Sequence, residues 1–295
     1  MSIRQNVLAA AVAAAILAAW AGVSRGEVPV KDGEKIAFLG DSITQGGMGQ
    51  TGYVTLVISG LKANGVKATA VGAGISGHKS NDMLARLERD VLSKKPEWMT
   101  LSCGVNDVWH GARGVPLDQY KKNITEIIDK AQAAGIKVVI LTATMIREDA
   151  GNPENGKLAA YNDFLRELAK EKKCLLADLN AEMHKALDEG EKAGKKRGTM
   201  LTTDGVHMNG AGNMMMAVGV LKGFGLDDAQ IAKAKEAWGD LPASVTVKAN
   251  LTVRQLEALE KAAEAQGKSV EAILQSAVDK QVAELLGGGG ATGGK

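Results

Sequence analysis

The chain has 295 residues, with 36 Lys and Arg against 34 Asp and Glu, a formal charge of +2, 45% apolar and 24% charged residues. That length and mix suit one large globular domain, alone or with an appendage, and exclude collagen-like and wholly disordered classes. The charge balance argues against a nucleic-acid partner, and four Trp, three Tyr and three Phe are too few for an extended stacking platform.

Residues 1–26 read as a secretory signal peptide, because Arg4 precedes an uncharged, alanine-rich run over 7–23 and Ala19-Trp20-Ala21 supplies an A-x-A cleavage site. Ser24-Arg25-Gly26 offers a second small-residue site. The alternative is an uncleaved membrane anchor, since the run lies at the lower edge of the roughly 17–25 residues that span hydrocarbon. Export to the periplasm or beyond would place Cys103 and Cys174 in an oxidising compartment.

From residue 35 to 225, short apolar runs at 36–39, 68–71, 98–103, 138–142 and 174–177 alternate with amphipathic runs at 53–64, 81–93, 117–134, 157–170 and 211–224. The alternation predicts an α/β domain of three layers, α/β/α and flavodoxin-like, around a five-stranded parallel sheet covered on both faces. Gly65 and Gly135 sit where left-handed helix caps are wanted. With strand order 2-1-3-4-5 the fourth strand separates Cys103 from Cys174. Two strand spacings of about 4.8 Å exceed a disulfide's reach, so both are expected as buried free thiols.

Ligands of such sheets bind beyond the carboxyl ends of the strands, where four polar clusters fall. Gly40-Asp41-Ser42 follows the first strand; Ser42 is either an exposed nucleophile or a helix N-cap. Gly74-Ile75-Ser76-Gly77-His78 follows the second, as a loop whose glycines let N–H groups approach a ligand or as an ordinary turn. Gly104-Val105-Asn106-Asp107 follows the third and is also consistent with an Asx turn. In Asp204-Gly205-Val206-His207 a carboxylate can orient an imidazole, leaving Nε2 as a base, or simply cap the next helix. Together the clusters supply a nucleophile, a base, an orienting carboxylate and further donors, which is the equipment of acyl transfer.

These four blocks, G-D-S at 40–42, Gly77, G-x-N-D at 104–107 and D-x-x-H at 204–207, resemble those of the SGNH or GDSL-type hydrolases, over about residues 35–225. The resemblance implies a serine esterase with Ser42 as nucleophile, His207 as general base and acid, and Asp204 as its orienter. It also implies an oxyanion hole of the Ser42 and Gly77 N–H groups with the Asn106 amide; Gly74 is a poorer match for the glycine block. No metal or cofactor is required, and His78, His110 and His184 have no ligand spacing and are expected on the surface or the site rim.

For substrate contacts the candidates are Asp41, Tyr53 and Trp109; core packing is an equal alternative for Tyr53 and Trp109. The loop over 192–198, with Lys195, Lys196 and Arg197, is expected to be solvated, with charge offered to an anionic substrate as its alternative. Nothing forms a long apolar cap over an acyl chain. Short-chain esters of an acylated carbohydrate are therefore the expected substrate, with lysophospholipid or fatty esters as the rival and a non-catalytic binding or assembly protein as the other class.

Residues 243–286 read as a separate appendage, an alternating segment at 245–251 followed by helices near 253–266 and 269–286. The outline resembles a ribbon-helix-helix, but five basic against six acidic residues suit phosphate poorly and an exported enzyme meets no operator. A homodimer contact burying Val245, Val247 and Leu251, or a hairpin docked on its own catalytic domain, fits better. Residues 287–295 form a Gly-rich tail expected to be flexible.

Overall fold

All five apolar runs form strands in the computed structural model, which describes residues 28–243 and 249–287: β1 (Lys35–Gly40), β2 (Thr69–Gly74), β3 (Trp98–Ser102), β4 (Lys137–Leu141) and β5 (Leu175–Ala177). They pair in parallel, as the α/β alternation predicts, and their order is β2-β1-β3-β4-β5. β3 is buried along its whole length, its Thr100 and Ser102 included, and β1 nearly so, because helices cover both faces; hence the unbroken apolar run of β1 in place of alternation. At the edge, β2 is only partly shielded, with Ala73 its one buried residue.

The helices of this unit are α1 (Ser42–Gly47), α2 (Tyr53–Ala63), α3 (Ser80–Asp90), α4 (Val105–Trp109), α5 (Leu117–Ala133), α6 (Pro153–Glu171), α7 (Leu179–Lys192), α8 (Gly210–Gly223) and α9 (Asp228–Gly239). One layer is α2, α8 and α7 packed side by side, with α9 against α2; the other is α3, α5 and α6. Right-handed crossovers put the connections from β1 leftward and from β3 rightward on opposite faces. α5 shows how sequence sets this packing: Tyr120, Ile124, Ile127, Ile128 and Ala131 recur at helical spacing and are all buried.

α7 and α9 are absent from the alternation that the sequence suggests. Each carries a narrow stripe among charged residues, Leu179, Met183 and Leu187 in one and Ile231, Ala234 and Trp238 in the other. Local signals for both exist in Asp178, whose carboxylate accepts from the Ala181 N–H, and in the Asp227–Gln230 capping box.

Gly40 and Gly74 pair across β1 and β2 where α1 crosses the sheet edge. A Cβ on Gly74 would collide with the Gln45 backbone nitrogen and lie 2.7 Å from the Thr44 carbonyl carbon. Backbone cannot rotate out of the way, so Gly74→Ala should destabilise the domain by about 2–3 kcal/mol, read as a lower urea midpoint with unchanged slope.

Cys103 follows β3 at one end of the sheet and Cys174 precedes β5 at the other, with β4 between them, and both are free thiols. Cys174 is half-buried rather than buried because it leads into an edge strand.

Residues 244–295 form a separate unit, whose helices are α10 (Val253–Ala265) and α11 (Val270–Gly287). Thr252 and Gln255 form a capping box at the start of α10, and Gly267 turns the chain between the two helices at φ +58°. The expected strand at 245–251 falls largely on 244–248, outside the described residues; so do the signal-peptide segment and, from 288, the tail. Among the described residues no helix is long and apolar enough to cross a membrane.

Candidate active site

The sheet order reverses between β1 and β3, so their crossovers diverge and open a crevice at the carboxyl edge. Ser42 enters it after β1 as the first residue of α1, and Asn106 after β3 within α4. His207 comes from the loop between α7 and α8, and its Nε2 lies 2.9 Å from Ser42 Oγ although the two are 165 residues apart in sequence. On the other side of the ring, Nδ1 is 2.6 Å from Asp204 Oδ2, while Asp204 Oδ1 accepts the N–H groups of Val206 and His207 at 3.0 and 2.8 Å. The bond from His207, together with those amides, brings the Asp204 pKa down to about 2. An ionised Asp204 puts the ring proton on Nδ1 and leaves the Nε2 lone pair facing the serine hydroxyl.

Asn106 and the loop carrying Gly77 are held at the same edge of the sheet as the serine. Asn106 Nδ2 donates to the His78 carbonyl at 3.1 Å, and Asn106 Oδ1 stands 3.2 Å from His110 Nε2, which holds the amide nitrogen towards the loop that carries Gly77. That loop is tied to β1 through Ile75 N–H on the Gly40 carbonyl and to α1 through Ser76 N–H on Gln45 Oε1. Gly77 follows these anchors directly, at φ +75°, a conformation that glycine adopts without strain. Gly74, by contrast, ends β2 and is packed beneath α1.

Arg86 locks the same region from below. Its guanidinium is buried and donates to the Gly40 and Ala73 carbonyls, each at 2.8 Å, to Asp90 at 2.9 Å and to His78 Nδ1 at 3.0 Å. Burial and the adjacent Arg86 charge push the His78 pKa down. Neither Arg86 nor the His110 contact is singled out by the sequence: the Gly40 and Ala73 carbonyls that Arg86 binds are 46 and 13 residues away, and His110 reaches Asn106 at the four-residue spacing that any helix offers.

Two of the expected substrate contacts are not at the surface. Tyr53 is fully buried, with its hydroxyl 2.9 Å from Thr44 Oγ1 and its ring edge-on to Phe38, so core packing accounts for it. Asp41 is 3% exposed; its Oδ1 accepts from the Ile43 N–H at 2.9 Å and its Oδ2 is 3.4 Å from Asn106 Nδ2, so it faces the protein rather than a ligand. Trp109 is half-buried, packed against the hydrophobic core and beside His110 at a ring separation of 6.4 Å, so core packing accounts for part of it as well. Arg197 of the basic loop is ion-paired with Asp188 and Glu191.

Burial pushes the Asp41 pKa up to about 6, against the lowering effect of the Ile43 amide and with the help of nearby Asp107. Between 3.8 and about 6 the folded chain therefore holds a proton that the unfolded chain has released, and stability from this group is lost as pH rises through that window. Asp41→Asn keeps an oxygen for the Ile43 cap and removes the titration. The wild-type minus variant unfolding free energy should fall by up to about 3 kcal/mol from pH 4 to 6 and be flat above, in urea titrations across pH.

Residues 38–215 match the model of the GDSL-like Lipase/Acylhydrolase family, and the chain belongs to that family. It is an SGNH-type hydrolase of ester bonds. An acetylxylan esterase of Geobacillus stearothermophilus is 28% identical over 220 residues, 67% of this chain and 97% of that protein. The crystal structure of the acetyl xylan esterase AlAXEase is 37% identical, covers 64% of this chain and 98% of its own, and has a TM-score of 0.60. Esterase TesA of Pseudomonas aeruginosa is 34% identical over 110 residues, 37% of this chain and 53% of that protein.

Proposed function

We propose that the enzyme is an exported serine esterase that removes short acyl groups, acetyl foremost, from carbohydrate by way of an acyl-enzyme on Ser42. The observation that carries this reading is the 2.9 Å approach of His207 Nε2 to Ser42 Oγ with Asp204 behind the imidazole. Ser42 Oγ attacks the ester carbonyl as its proton passes to Nε2, and the carbonyl oxygen becomes an oxyanion. The N–H groups of Ser42 and Gly77 and the second Asn106 Nδ2 proton, held by Asp41 only at 3.4 Å, are the donors that stabilise it. Collapse expels the sugar alkoxide, which takes the proton from Nε2. Water then repeats the sequence on the acyl-enzyme, giving its proton to His207 and releasing the carboxylic acid and free Ser42.

Acetylxylan esterases among the relatives, matched over nearly their whole length, support acetylated carbohydrate as the substrate class. Export rests on the N-terminal sequence. Self-association through residues 244–295 is consistent with Leu251, Val253, Val282, Leu285 and Leu286, all exposed.

Hydrolysis of p-nitrophenyl acetate, butyrate and longer esters, with acetate release from acetylated xylo-oligosaccharides in parallel, tests the reading. Activity should fall with acyl length and acetate should be released. Preference for long acyl chains would instead favour the fatty-ester or lysophospholipid class.

A further inference from the structure

We propose that Glu148 is a positioning residue for this reaction: its buried carboxylate is the template on which the loop carrying Asp204 and His207 is folded. The inference rests on the Ser42–His207 reading given above. Glu148 lies between β4 and α6, is wholly buried, and among the described residues enters no ion pair. Its charge is instead held by five donors from one segment of the loop. Oε2 accepts the N–H groups of Gly198 and Met200, both at 2.9 Å. Oε1 accepts the Leu201 and Thr202 N–H groups at 2.8 and 2.7 Å and the Thr202 hydroxyl at 2.7 Å.

The Thr202 hydroxyl carries the order onward. While donating to Glu148 it accepts the Gly205 N–H at 3.2 Å, and Gly205 stands within the Asp204–His207 turn. The neighbouring Arg147 N–H donates to the Gly205 carbonyl at 2.6 Å. One dipeptide therefore grips the middle of the turn from both its N–H and its C=O sides. Thr203 and Asp204 are exposed, so hydrogen bonds, more than side-chain packing, decide where the Asp204 carboxylate sits.

The backbone at this dipeptide supports a functional reading. Arg147 and Glu148 adopt φ of +63° and +48°, two successive left-handed residues with neither a glycine. Such strain persists where the surroundings over-determine it, and it clusters at functional sites. Here it aims the carboxylate into the loop. Although burial raises the Glu148 pKa, the bonds from Thr202, Leu201, Met200 and Gly198 outweigh it and leave the net value below that of an ordinary glutamate.

The test uses the full chain with Glu148→Gln, Thr202→Val and Thr202→Ser. An amide at 148 turns an N–H₂ group towards donors, and Val at 202 keeps the shape while removing the relay. A displacement of about 1 Å at the reacting groups costs roughly 10²-fold, so Glu148→Gln should lower kcat by about that factor with KM little changed. Thr202→Val should fall in the same direction, and Thr202→Ser should recover most of the loss. The downfield Nδ1 proton resonance of His207 should shift or broaden in the first two variants and not in the third. Folded Glu148→Gln and Thr202→Val with wild-type kcat and an unchanged resonance would overturn the proposal, as would a kcat loss that merely tracks the folded fraction by circular dichroism. Wild-type hydrolysis by Ser42→Ala would instead overturn the reading beneath it.

Discussion

Ser42→Ala is expected to lower kcat for p-nitrophenyl acetate by on the order of 10⁶ while leaving the fold intact. Ser42 is half-buried at the start of α1, and among the described residues the loss of its hydroxyl breaks only the hydrogen bond to His207 Nε2. Thermal unfolding should therefore be nearly that of the wild type. Because nucleophile and base act as a unit, Ser42→Ala with His207→Ala should be little worse than either alone. Residual hydrolysis reflects the remaining amide donors, which still favour attack by water. A loss of only a few-fold in a folded Ser42→Ala protein would mean that the nucleophile is elsewhere.

The second large effect is expected for Asp204→Asn, at roughly 10³–10⁴ in kcat with KM little affected. An amide at 204 offers an N–H to Nδ1 as readily as an oxygen. That permits the tautomer with its proton on Nε2, which cannot take the proton of Ser42. Asp204 is about half exposed, so water partly replaces the lost carboxylate and the lower end of the range is the more appropriate bound. Steady-state kinetics on the folded variant check this, and a kcat close to that of the wild type would remove Asp204 from the orienting role.

Much of the catalytic domain is legible in the sequence, for a physical reason. A parallel sheet buried on both faces writes its strands as short apolar runs and gathers the polar residues after each strand at one edge. Ser42 and Asn106 are therefore placed at that edge by position alone. His207 needs the D-x-x-H spacing, because its loop follows no strand directly. Other elements have little local signature. α7 and α9 bury only a narrow stripe each. Tyr53 carries a phenol suited equally to a pocket or a core, and only burial decides between them. Glu148 is one acid among many in the sequence, and its carboxylate is bound by five donors some fifty positions downstream, a relation without periodicity.

The central claim, that Ser42 is activated by His207 and becomes covalently acylated, is tested most directly by labelling the protein with a fluorophosphonate and mapping the adduct by peptide mass spectrometry. One adduct per chain on Ser42, absent from Ser42→Ala and greatly slowed in His207→Ala, is the predicted result. An adduct on another residue, or labelling of Ser42 at the same rate without His207, would contradict it.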